Sequence, residues 1–198
     1  MSDEPSFAST THDYLLGPFG TPKNATTFAD NMKLPVHRWY RYSAGYSSEW
    51  ASKLMGHWGS TRVLDPFGGS GTTCLTAQER GVASYATEVH PTVARIARAK
   101  LAWEADPDEF RAVVREVLKV VAQERPVEVP DSPLIVKCFP NTASLADLLR
   151  VRDAVIALPS DEPTSELAWL AFVSIIRASS PAGTAQWQYV LPNKMKSR

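Results

Sequence analysis

The chain has 198 residues, 44% of them hydrophobic and 10% aromatic, enough apolar material for one sizeable core. Its 21 Lys and Arg balance 21 Asp and Glu, so it lacks the global basic excess of a free-standing DNA-binding module; a DNA partner requires uneven charge or a second chain. Two cysteines, Cys74 and Cys138, stand far apart without CxxC or Cys/His spacing, which excludes a disulfide scaffold and structural zinc and reads as two reduced, buried thiols.

The opening stretch MSDEPSFASTTHDY is polar and acidic, without the basic-then-apolar order of a signal peptide. No apolar run approaches the ~20 residues of a membrane span, so a cytoplasmic protein is expected. Residues 1–33 mix Ser, Thr, Pro, Gly and Asn with little periodicity and read as an extended arm, with Tyr14, Leu15, Leu16 and Phe19 as docking points. Residues 34–198 are then one domain. It starts with the aromatic and basic stretch LPVHRWYRYSAGY, after which Ser47 is placed to cap a short helix, SSEWASKLM.

TRVLDPF is a short apolar run ended by Asp65-Pro66. Proline pushes the residue before it towards extended geometry, so this is a strand leading into a loop. GGSG follows, then a helix over TTCLTAQERG that stops at Gly81, a second strand in VASYATEV, and a helix over PTVARIARAKLAW with Pro91 at its start. That order makes a parallel α/β unit. Further on, FRAVVREVLKVVAQ carries a helical stripe of Val113, Val114, Val117, Leu118 and Val121. SPLIVKCF reads as a buried strand, SLADLLRVRDAVIAL as a helix, SELAWLAFVSIIRAS as an apolar helix buried on most sides, AQWQYVL as a strand and NKMKSR as a basic tail.

The central motif is DPFGGSGTT, Asp65 to Thr73, at a strand-to-helix turn. Its glycines let the backbone pass close to a ligand. The first amides of the following helix favour negative charge, while an acidic residue at the strand end favours an ammonium. One loop can therefore hold a zwitterion, with the amine near Asp65 and the carboxylate near the amides of Gly71 to Thr73. That suits the methionine part of S-adenosylmethionine better than a pyrophosphate. Glu88 ends the second strand, where an acidic side chain typically accepts from ribose hydroxyls. A Walker loop needs GK[ST], and no lysine is present here. A nicotinamide fingerprint forced onto Gly69, Gly71 and Cys74 leaves Asp65-Pro66-Phe67 unexplained.

VLDPFGGSGTT followed by YATEVHP resembles motifs I and II of the DNA amino-methyltransferases, which modify the exocyclic nitrogen of adenine or cytosine. VHRWYRYSAGYSSEW resembles the upstream segment, motif X, that closes the methionine end of the pocket in one bacterial group. The resemblance runs from Val36 to Leu101. It implies a partial Rossmann-like class I methyltransferase fold, α/β with a parallel sheet and extra helices, and S-adenosyl-L-methionine as cofactor. By position it implies a pocket of Asp65, Phe67, Gly68, Gly69, Ser70, Gly71, Thr72 and Thr73, with Glu88 on the ribose and Tyr46 and Ser47 from the upstream segment.

The same family carries out its chemistry with a [DNS]-PP-[YFW] tetrapeptide, in which a flipped-out base stacks on the aromatic ring while polar groups hold its amino nitrogen. The chain has 15 prolines and no Pro-Pro pair; Phe139-Pro140-Asn141 and Ser180-Pro181 come nearest. No catalytic residue is therefore assigned. The expectation is a cofactor-binding subunit, completed by a second chain that carries the tetrapeptide and most of the recognition of double-stranded DNA, within restriction-modification or phage defence. A non-catalytic S-adenosylmethionine-binding regulator, a fragment of a single-chain enzyme and a methyltransferase of RNA or a small molecule stand as alternatives. His90 reads as a loop residue near the adenine. Trp39, Tyr40, Arg41 and Tyr42 read first as packing over the glycine loop, with DNA or cofactor contact as the alternative.

Overall fold

A computed structural model describes residues 27–181. The arm residues Tyr14, Leu15, Leu16 and Phe19, the AQWQYVL segment and the basic tail lie outside the described residues. The chain divides into two compact units, Met1–Ala97 and Arg98–Arg198.

In the first unit, short 3-10 turns at Asp30–Lys33 and His37–Trp39 precede helix α1, Ser48–His57. Ser47 caps it, its side chain accepting from the Trp50 amide, and Ser48, Ala51 and Met55 form its buried face at helical spacing. Strand β1, Arg62–Asp65, then runs parallel to strand β2, Ala83–Ala86, in the register Arg62↔Ala83, Val63↔Ser84, Leu64↔Tyr85 and Asp65↔Ala86. Helix α2, Thr72–Glu79, is the crossover between them. Its residues Thr72 to Ala77 are all buried, and Ala77 joins Ala51 and Met55 in a core flanked by Tyr46, Val63 and Val82. Small side chains let α1 and α2 approach closely enough for Ser48 Oγ and Thr76 Oγ1 to hydrogen-bond at 2.9 Å. Helix α3, Pro91–Leu101, carries the boundary between the units.

Two strands are the whole sheet among the described residues. Leu64 and Tyr85, register partners on one face, are 70% and 69% exposed. Parallel sheets are ordinarily covered on both faces, so this open apolar face is a departure from the rule.

The second unit contains helices α4, Pro107–Val121, α5, Pro133–Cys138, α6, Thr142–Ile156, and α7, Pro163–Ser179. α4, α6 and α7 pack against one another. Asp106 caps α4 by accepting from the amides of Asp108 and Glu109, and Asn141 caps α6 by accepting from those of Ala143 and Ser144. Three sequence expectations are corrected here. SPLIVKCF is the short helix α5 and not a buried strand: Pro133 opens it, and Leu134 and Val136 are exposed. α7 is buried only over its first half, at Ser165, Ala168, Trp169 and Leu170, while Ile175 is exposed. Cys138 is half-buried, unlike the buried Cys74.

The described residues thus form an α/β fold with a small parallel sheet and seven α-helices, compatible with part of a Rossmann-like methyltransferase fold. No helix among them is long and apolar enough to cross a membrane.

Candidate functional site

The loop Pro66 to Gly71 lies at the carboxyl end of the sheet, where α/β folds bind ligands. Gly71 takes φ +85° at the N-cap of α2, and a Cβ there would stand 3.0 Å from that of Ala97. Gly68 is as constrained: its added Cβ would meet that of Ala86 at 2.9 Å. The backbone has to lie where no side chain fits, which brings the first-turn amides of α2 to the surface of the loop without helical partners.

A cavity of about 450 Å³ opens on this loop, a volume within the range of small-molecule sites. It is lined by Asp65, Phe67, Gly68, Gly69, Ser70, Thr72 and Glu88 from the loop and strand ends, and by Tyr46 from the upstream segment. Of the remaining positions expected at the pocket, Thr73 contacts its lining residues, Gly71 shapes the turn, and Ser47 serves as the cap of α1. Tyr42, Ala44 and Gly45 also line the cavity. Tyr42 carries the clearest sequence signal of the three, the aromatic-basic run. Its ring sits against Gly69, where an added Cβ would stand 3.1 Å from Cε1.

Two carboxylates organise the walls. Asp65 Oδ1 accepts the Phe67 amide at 2.9 Å, and Oδ2 accepts from Thr73 Oγ1. Tyr46 Oη is hydrogen-bonded to the same Thr73 hydroxyl and lies 3.4 Å from Asp65 Oδ2. Burial pushes the Tyr46 hydroxyl up to about 12, so it stays neutral and able to donate at physiological pH. Glu88 accepts the His90 amide through Oε1 at 2.8 Å and the Gly69 amide through Oε2 at 2.9 Å. These amides, His90 foremost, hold its carboxyl below the usual range. A carboxylate offers about four acceptor sites, so Asp65 and Glu88 both retain lone pairs for a ligand's ammonium or hydroxyls.

Ser70 is 2% exposed, lines the cavity, and its buried hydroxyl has no hydrogen-bond partner among the described residues. A buried hydroxyl left unpaired is costly unless a ligand satisfies it. The site therefore offers an amide-rich helix start, an orphan hydroxyl and two carboxylates around one cavity. That set fits a zwitterionic amino acid joined to a ribose. Phe67 and Val89, 85% and 97% exposed, add apolar surface beside it. No group of three or more His, Cys, Asp and Glu among the described residues is placed to hold a metal.

The fold and the loop place a cavity of small-molecule size at the carboxyl ends of two parallel strands. Over 72 residues, 35% of its length, the chain is 36% identical to the Type II methyltransferase M.BsoBI of Geobacillus stearothermophilus and covers 14% of that protein. Over 72 residues it is 28% identical to the Type II methyltransferase M.AvaI of Nostoc sp. and of Anabaena variabilis, covering 15% of each. The matched segment is thus a small part of these relatives' length. No family model matches the chain, and no solved structure matches it.

In the second unit, the nearest approximations to a Pro-Pro tetrapeptide come together: Phe139, Pro140, Asn141, Ser180 and Pro181 line a cavity of about 390 Å³. Asn141 Oδ1 is occupied as the cap of α6, and Ser180 Oγ donates to the Cys138 carbonyl at 2.6 Å. These polar groups are committed to the fold and do not reproduce a base-holding arrangement.

Proposed function

We propose that this chain is the S-adenosylmethionine-binding part of a DNA amino-methyltransferase of the restriction-modification type, and that a partner chain carrying a [DNS]-PP-[YFW] tetrapeptide completes it. The observation that carries this reading is the Asp65–Thr73 loop, tied at Gly69 to Glu88 and lined by the unpaired Ser70 hydroxyl. Similarity to Type II methyltransferases supports it.

When bound, the cofactor supplies an electrophilic methyl group on its sulfonium. The chain's own residues bind and orient it. The α2 amides and Ser70 receive the carboxylate, Asp65 faces the ammonium, Glu88 accepts from the ribose hydroxyls, and Tyr46 and Tyr42 keep water from the methionine end. No residue of the chain is assigned to hold the target base, which is the partner's task in this reading. The uncovered face at Leu64 and Tyr85 supports a partner, because an apolar patch on a parallel sheet marks an unfilled interface.

The test is transfer of labelled methyl from S-adenosylmethionine to duplex DNA. The chain is assayed alone and with a co-expressed protein, encoded beside it, that carries a Pro-Pro-aromatic motif. Label in adenine N6 or cytosine N4 that needs both chains supports the proposal. Label transferred by the chain alone contradicts the split arrangement. Cofactor binding without transfer in any pairing points to a regulatory protein.

A further inference from the structure

The segment that closes the cofactor cavity also carries a cationic surface. Between Asp30 and Glu49 there is no acidic residue, whereas Lys33, Arg38 and Arg41 are basic. Lys33 is paired with Asp30 at 2.8 Å. Arg38 and Arg41 are exposed, and their guanidinium groups have no ion pair or hydrogen bond among the described residues. Lys53, Arg111, Lys119 and Arg150 are each paired with an acidic residue three or four positions away on their own helix, whereas Arg38 and Arg41 lie three residues apart in a stretch with no acidic residue to pair with.

The Arg38 amide donates to the Leu34 carbonyl at 3.3 Å. Val36 and His37 are 8% and 1% exposed and face inward, while Arg38 and the 37%-exposed Trp39 face outward from the same turn. One residue beyond Arg41, Tyr42 turns back into the cavity against Gly69. The arginines are thus displayed from a stretch with buried residues before it and a cavity-lining tyrosine directly after it. Packing over the glycine loop, the first expectation for this run, describes Tyr42 but not Arg38, Trp39 or Arg41.

We propose that Arg38 and Arg41, with Trp39 between them, form a contact surface for the phosphate backbone of duplex DNA. Guanidinium groups bind phosphate in a bidentate fork, and phosphate contacts position a duplex without reading its sequence. The surface lets a chain of zero net charge share in binding the substrate and set the DNA beside the methyl donor. This inference rests on the methyltransferase reading and extends it, since that reading leaves DNA binding to the partner.

The test is anisotropy of a fluorescent duplex of arbitrary sequence, titrated with the full chain across a salt series. Wild type is compared with the double variant Arg38→Gln/Arg41→Gln and with Trp39→Ala, and S-adenosylmethionine titration serves as a separate readout. The expected result is duplex binding about tenfold weaker in the double variant, with a salt slope shallower by about 2. Cofactor affinity stays unchanged, because neither arginine lines the cavity. Equal duplex binding and equal slopes in wild type and double variant would overturn the proposal, as would no duplex binding by wild type at low salt. Displacement by polyglutamate as effective as by DNA of equal charge would assign the surface to an acidic polypeptide and also overturn it. Loss of cofactor binding in wild type would instead remove the methyltransferase reading, which keeps the two failures distinct.

Discussion

The Gly69 amide donates to Glu88 Oε2 at 2.9 Å across 19 residues of sequence. This bond ties the loop after β1 to the end of β2, and the other Glu88 oxygen holds the His90 amide. A residue expected to meet the ribose therefore also fixes the floor on which the ribose would lie.

Replacing Glu88 with Gln leaves one acceptor oxygen for the two amides. S-adenosylmethionine affinity should fall about tenfold, measured by calorimetry. The Glu88 carboxyl is lowered in the folded chain. Its contribution to stability is therefore complete above the ordinary carboxylate value of about 4.3 and is lost as the pH falls through the lower folded value. Acid-unfolding curves of wild type and E88Q should converge below that range. Unchanged affinity in E88Q would show that Glu88 serves neither the loop nor the ligand.

Tyr46→Phe removes a hydroxyl bonded to Thr73 and close to Asp65, while Thr73 and Asp65 stay paired with each other. The cost is about 1 kcal/mol in urea unfolding. The Tyr46 hydroxyl is raised to about 12, so its linkage term is fully present below the ordinary tyrosine value of about 10 and is lost as the pH rises towards 12. Wild type should lose stability over that window more steeply than Y46F. Parallel curves would mean that the hydroxyl is no more protected than in the unfolded chain.

Gly59 and Gly71 both have positive φ, +56° and +85°, but only Gly71 faces a neighbour, with Ala97 Cβ 3.0 Å from an added methyl. Gly59→Ala should cost about 1–2 kcal/mol, the conformational term alone. Gly71→Ala should cost at least about 1 kcal/mol more from overpacking. Equal losses in thermal unfolding would show that the loop and α3 yield freely.

Ser70→Ala deletes an unpaired buried hydroxyl. The ligand-free protein should keep or raise its melting temperature, while cofactor affinity drops about tenfold, as expected where a site holds a polar group for its ligand. A variant that loses stability without losing affinity would make Ser70 a structural residue.

The strand–helix pattern from Arg62 to Leu101 was legible because its signals are local. Asp65-Pro66 ends a strand, the glycines make the turn, and Pro91 opens a helix. Residues 132–139 misled for a physical reason. A short apolar run fits strand and helix equally by period, and the opening proline favoured the helix. The Tyr46–Thr73 and Tyr42–Gly69 contacts join positions 27 residues apart. No periodicity reports such pairs, and only the resemblance of the upstream segment hinted at Tyr46. The stripe on α4 was visible in the sequence, yet Leu118 stands 58% exposed at its margin, since one face of a helix buries a narrower arc than its apolar residues span.

The central claim is the identity of the ligand, and calorimetric titration of the full chain with S-adenosylmethionine, with NAD as comparator, tests it most directly. Saturable binding of S-adenosylmethionine alone, abolished by Asp65→Ala and weakened by the stably folded Ser70→Ala, is the result this account predicts. Equal or tighter binding of NAD, or S-adenosylmethionine binding untouched by both substitutions, would contradict it.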